Sequence, residues 1–76
     1  MLIMEDLMQG LPGLKTQRKA KKISQRELAE RVGLSVVSIS RYECGKANAR
    51  AKAIAEIAKC LSVPEYYLLY PELGNL

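Results

Sequence analysis

Apolar positions along this 76-residue chain recur every three or four residues and never alternate over a strand length, which is the spacing of helix faces. Gly10, Pro12 and Gly13 break the chain after an opening stretch in which Leu2, Ile3, Met4, Leu7 and Met8 surround Glu5 and Asp6. That stretch reads as a short arm or helical turn, residues 1–13. A first helix is expected from about Leu14 to Lys22, with Leu14 and Arg18 four apart on one face and lysines on the other. Ser24 followed by Glu27 forms a capping-box pattern, the hydroxyl accepting from the Glu27 amide and the carboxylate reaching back. Leu28, Ala29 and Val32 give the second helix its apolar face, and Gly33 can end it in a left-handed conformation. Ser35 is placed to cap a third helix carrying Val36, Ile39 and Tyr42 as far as Gly45. Asn48 is the expected cap of a fourth, whose stripe is Ile54, Ile57, Ala58 and Leu61, widened by Ala51 and Ala55. Pro64 suits the first turn of a fifth, which stops before Pro71. The pattern therefore predicts an all-α domain of five short helices over residues 14–70, with a tail at 71–76.

The centre of this pattern is two short helices joined by a tight glycine-containing turn, which defines a helix-turn-helix. Ala29 permits close crossing of the two helices, Gly33 permits the turn, Leu34 plugs the corner and Ile39 faces inward. Charge then sharpens the picture. The net charge is +4, yet all twelve basic residues lie between Lys15 and Lys59 with only four of the eight acids. A concentrated central positive field suits a phosphate backbone, and equally a solvated helical surface.

Chemistry-bearing residues are few. There is no His, so no obvious general base, and neither a phosphate-binding glycine loop nor a paired-carboxylate site is present. An enzyme is not expected. Cys44 and Cys60 are far apart, which gives no zinc or redox spacing and reads as two free thiols. No metal, cofactor or small-molecule substrate is implied. With no basic-then-apolar leader and no apolar run of bilayer length, no membrane association is expected and the expected location is cytoplasmic.

The segments Ile23-Ser24-Gln25, Leu28 to Ser35, Ile39 to Lys46 and Ile57 to Leu61 together resemble the phage repressor and Cro-like, or Xre-type, family of bacterial regulators, and the resemblance runs from about Leu14 to Leu69. It implies a lambda-repressor-like five-helix bundle that binds operator DNA in the major groove. By position, Gln25 resembles the family's phosphate-contacting glutamine at a helix N-terminus. Arg18 and Glu43 match a family pair expected to form a partly buried ion pair. Ser35, Val36, Val37, Ser40 and Arg41 occupy the recognition-helix positions nearest base edges, and Lys46, Arg50 and Lys52 in and after the next loop resemble phosphate contacts. Many relatives have Gln, Arg or Asn where this chain has Val36 and Val37, so apolar contact with thymine methyls replaces hydrogen-bond readout there. Arg41 suits a guanine or a phosphate. Cys44 stands for a common asparagine, Ala49 for a frequent proline and Gln17 for an apolar residue.

The family commonly pairs through the end of the fourth helix and the segment after it, which makes Tyr66, Tyr67, Tyr70 and Leu73 the expected homodimer contacts. A symmetric pair reading double-stranded DNA calls for an inverted-repeat operator, and the expected role is a transcriptional regulator, in the first instance a repressor. The surplus apolar residues at both ends also support a helical protein-interaction module, such as an antitoxin or regulator subunit.

Overall fold

The computed structural model describes residues 10–71, so residues 1–9 of the expected arm and residues 72–76 of the tail, including Leu73, lie outside it. The described residues form five helices and no strand: α1 Leu14–Ala20, α2 Gln25–Val32, α3 Val36–Cys44, α4 Ala51–Leu61 and α5 Glu65–Leu69. Among the described residues the all-α expectation and the count of five helices both hold.

The caps decide where each element begins. Ser24 Oγ accepts from the Glu27 amide at 3.0 Å, and Ser35 Oγ accepts from the Ser38 amide at 3.0 Å, each satisfying an amide that an uncapped helix leaves open. Only half of the expected capping box forms. The Glu27 carboxylate does not return to Ser24 but takes Arg31 Nη2 at 2.6 Å one turn along, where an exposed i,i+4 pair satisfies it. Gly33 and Gly45 close α2 and α3 in the left-handed region, both at φ 74°, a conformation that costs a Cβ-bearing residue about 1–2 kcal/mol.

The end of α1 and the starts of α4 and α5 depart from expectation, whereas α4 ends at Leu61, the last position of its expected stripe. α1 stops at Ala20 because Lys22, at φ 58°, turns the chain left-handed and donates its amide to the Lys19 carbonyl at 2.9 Å. Ser62 ends α4 in the same way at φ 58°. Asn48 is not the cap of α4, which starts after Arg50 with no side-chain cap. Its Oδ1 instead accepts from the Gly10 amide at 2.9 Å, a link between residues 38 apart. Pro64 sits just outside α5 as its N-cap, and Tyr70 follows the helix before Pro71.

One apolar core joins all five helices. Leu14, Leu28, Ile39, Ile57, Leu61 and Leu68 are fully buried, with Ile23, Ala29 and Ala58 beside them, each large side chain contributing about 1.5–3 kcal/mol by leaving water. Leu11 belongs to the same core at 1% exposure, so residues 10–13 are part of the packed unit and not of an arm. Their backbone shows why. The Leu11 amide donates to the Tyr42 carbonyl at 2.9 Å and the Gly13 amide to the Leu68 carbonyl at 2.7 Å. A Cβ on Gly13 would overlap the Tyr67 carbonyl. Gln17 is buried to 7% exposure, in the place where an apolar residue is usual, and among the described residues no fully buried side-chain nitrogen or oxygen lacks a hydrogen-bond partner.

Candidate nucleic-acid interface

The short turn from Gly33 to Ser35 sets α3 against α2, and Ile39 anchors α3 at 0% exposure. With Tyr42 and Glu43 also turned inward, the outer stripe of α3 is Val37, Arg41 and Cys44, one turn apart, with Val36 and Ser40 alongside. Val36 is 39% and Val37 64% exposed. Arg41 is exposed and Ser40 half-buried. This stripe contains no carboxylate, because the one acid of α3, Glu43, is turned into the protein with its side chain 3% exposed.

Glu43 is neutralised there. Arg18 Nε donates to Glu43 Oε2 at 2.6 Å and Arg18 Nη2 to Oε1 at 3.2 Å, the two-pronged geometry that suits a guanidinium and a carboxylate. Arg18 Nη1 also donates to the Ile23 carbonyl at 2.8 Å. The pair thus ties α1, the α1–α2 turn and α3 together. Gln25 Nε2 completes the cluster by donating to Glu43 Oε1 at 2.9 Å. The side chain assigned to phosphate therefore has one N–H committed within the protein, and from its half-buried position at the first residue of α2 only the second N–H remains as a donor. Ser35 is similarly engaged: besides capping α3, its hydroxyl donates to Ser38 Oγ at 3.0 Å.

Beyond α3, the loop from Gly45 to Arg50 carries the exposed Lys46 and Arg50, and Lys52 follows in the first turn of α4. The Lys46 amide donates to the Arg41 carbonyl at 2.9 Å, and the bonds from Gly10 to Asn48 and from Leu11 to Tyr42 hold both sides of this loop. That support was not legible in the sequence. Arg50 and Lys52 also line, with Glu56, Val32, Leu34 and Tyr42, an open hollow between the helix-turn-helix and α4. The structure thus presents a face of two valines, a serine, an arginine and a cysteine, followed in the chain by three exposed cations on a tied loop and helix start.

The four tyrosine-side and tail candidates separate differently. Tyr66 and Tyr70 are 49% and 39% exposed, and the Tyr66 ring meets that of Tyr67 edge-on at 5.2 Å. Tyr67 is half-buried, its backbone close to Gly13. Cys44 is exposed and Cys60 half-buried, both as free thiols. Among the described residues no group of His, Cys, Asp and Glu could hold a metal ion, and no helix is long and apolar enough to cross a membrane.

Comparison with known proteins places this geometry among regulators. The helix-turn-helix family model HTH_3 matches residues 14–68. The chain is 35% identical over 63 residues to an uncharacterized transcriptional regulator in the ATPase CF(0) region of Rhodospirillum rubrum, a match that covers 82% of this chain and 58% of that relative. It therefore spans less than two thirds of that protein's length. Among solved structures, it is similar to the restriction-modification controller protein C.AhdI from Aeromonas hydrophila, with a TM-score of 0.71 and 30% identity over 75% of this chain and 83% of that one. The clp gene regulator ClgR from Corynebacterium glutamicum aligns with a TM-score of 0.75 and 25% identity, covering 84% of this chain and 68% of that one.

Proposed function

The chain belongs to the phage repressor and Cro-like, Xre-type helix-turn-helix family, and from that premise we propose that it is a sequence-specific DNA-binding transcriptional regulator that lays α3 in the major groove. One observation carries the reading: the outward face of α3 holds Val36, Val37, Ser40 and Arg41 without a carboxylate, and the exposed Lys46, Arg50 and Lys52 follow in the next loop and the first turn of α4. In such domains the N-terminal part of the recognition helix, here α3, reaches base edges. The loop cations and the second Nε2–H of Gln25 then grip phosphates and fix the register. The protein acts by binding in the cytoplasm, where its duplex resides, and not by catalysis.

Two copies complete the reader. Tyr66 and Tyr70 present exposed aromatic surface at the C-terminal end of the bundle, and burying such rings between copies is a strong source of association. A two-fold pair offers the same side chains to both strands, so the operator is an inverted repeat with half-site centres roughly 10–12 bp apart, near one helical turn. Occupying such a site blocks other proteins from it, which makes repression the expected outcome. The test is selection of bound duplexes from a random pool by the purified chain. An enriched inverted repeat supports the proposal. Failure to enrich any sequence over the starting pool overturns it, and leaves the exposed tyrosines as the docking face of a protein-interaction module.

A further inference from the structure

We propose that Val36 and Val37 make this domain a reader of pyrimidine C5-methyl groups, so that it recognises thymine and 5-methylcytosine alike and its operator affinity responds to cytosine methylation. The inference rests on the reading that α3 enters the major groove, and it concerns what α3 detects there.

The two valines are the feature that the core leaves unexplained. Val37, at 64% exposure, sits on the outer stripe of α3 with Arg41, and Val36 lies next to it at the helix start. Neither side chain carries a hydrogen-bonding atom. Every major-groove base edge presents donors or acceptors, and a valine pressed on one strips it of water without replacing the bond, which is unfavourable. The exception is the methyl group on C5 of thymine, an apolar knob that gains by leaving water. An apolar pair at the reading end of the helix therefore selects for methyl groups and against bare polar edges.

The surroundings commit these valines to DNA. The rest of this face contributes Ser40, Arg41 and Cys44 and no carboxylate, because Glu43 is folded away against Arg18 and Gln25. Lys46, Arg50 and Lys52 extend the positive charge from the C-terminal side. An apolar peptide groove has no use for this flanking charge, whereas a polyanion bearing methyl groups matches both parts.

Sensitivity to methylation arises from the chemistry of the pyrimidine ring. A methyl on C5 of cytosine points into the major groove from the same ring position as that of thymine. The two bases differ at C4, where cytosine carries an amine and thymine a carbonyl, and a valine cannot tell these apart by hydrogen bonding. At positions facing Val36 and Val37, a methylated C·G pair thus substitutes for T·A, and an unmethylated one does not.

The experiment uses the selected operator with each candidate pyrimidine position prepared in four forms: T·A, U·A, C·G and 5-methyl-C·G. Binding is measured by fluorescence anisotropy with wild type and with Val36→Ala and Val37→Ala, whose helical circular dichroism is checked first. At one or two positions per half-site, the two methylated pairs bind alike and about fourfold more tightly than the two unmethylated pairs, the fold-change of burying one methyl-sized group. The valine substitutions shrink that difference towards one. If affinity at every position sorts by base pair and ignores the methyl, or if the methyl effect survives both substitutions undiminished, methyl reading by these valines is wrong while the helix-turn-helix function stands. If wild type binds no duplex, both readings fall together.

Discussion

Arg18, Gln25 and Glu43 show how much depends on single side chains inside a small domain. Glu43 accepts from both of the others, with its own side chain 3% exposed. Removing one partner of a buried pair strands a charge with little water, a loss of about 3 kcal/mol or more. Glu43→Ala and Arg18→Ala are each expected to lower stability by about 3 kcal/mol in denaturant unfolding. The exposed Arg31–Glu27 pair, at 51% and 45% side-chain exposure, is worth only about 0.3–0.5 kcal/mol, so Glu27→Ala serves as the control. Equal midpoints for Glu43→Ala and wild type would show that the buried pair contributes nothing. Family resemblance brought Arg18 and Glu43 together from the sequence, but the bond from Gln25 was not visible there. Gln25 and Glu43 are 18 residues apart, and nothing local to either marks the other.

The helices themselves were legible where a local signal existed. Ser24, Gly33, Ser35 and Gly45 cap or stop their helices where the pattern placed them, because a hydroxyl or a missing Cβ acts on its own few residues. The end of α1 was not legible, nor was the left-handed turn that stops α4 after Leu61, since Lys22 and Ser62 adopt that conformation without being glycine. Nor was the role of Asn48, whose partner Gly10 lies at the other end of the fold. Residues 10–13 are the clearest case. Their Gly and Pro content signals a break, yet Leu11 fills the core and Gly13 lets α1 start against the backbone of α5. Leu11→Ala is therefore expected to cost about 2–5 kcal/mol, the range for a buried leucine. Gly13→Ala is expected to cost about 1–3 kcal/mol by overpacking. Thermal unfolding checks both, and a wild-type midpoint for Leu11→Ala would return that segment to the arm.

At the scale of the whole molecule, the proposed function divides labour between two surfaces: α3 and the cationic loop on one, and the tyrosines around α5 on another. Because Tyr66 and Tyr70 are exposed, replacing both with Ser leaves the core intact and removes the aromatic area available for pairing. Sedimentation is expected to show a dimer dissociation constant raised by about tenfold or more, with unchanged helical circular dichroism. A wild-type chain that stays monomeric at tens of micromolar would contradict pairing and leave a single helix-turn-helix as the reader. DNA binding itself is the central claim, and it is tested most directly by the affinity for the selected duplex as salt is raised. Each phosphate neutralised by a Lys or Arg releases condensed counterions, so log K falls linearly with log salt, with a slope of about −0.9 per contact. Wild type is expected to show a slope of several units, and Lys46→Ala or Arg50→Ala to make it shallower by about one each while leaving sequence preference unchanged. An affinity indifferent to salt, or a slope that neither substitution alters, would contradict the account.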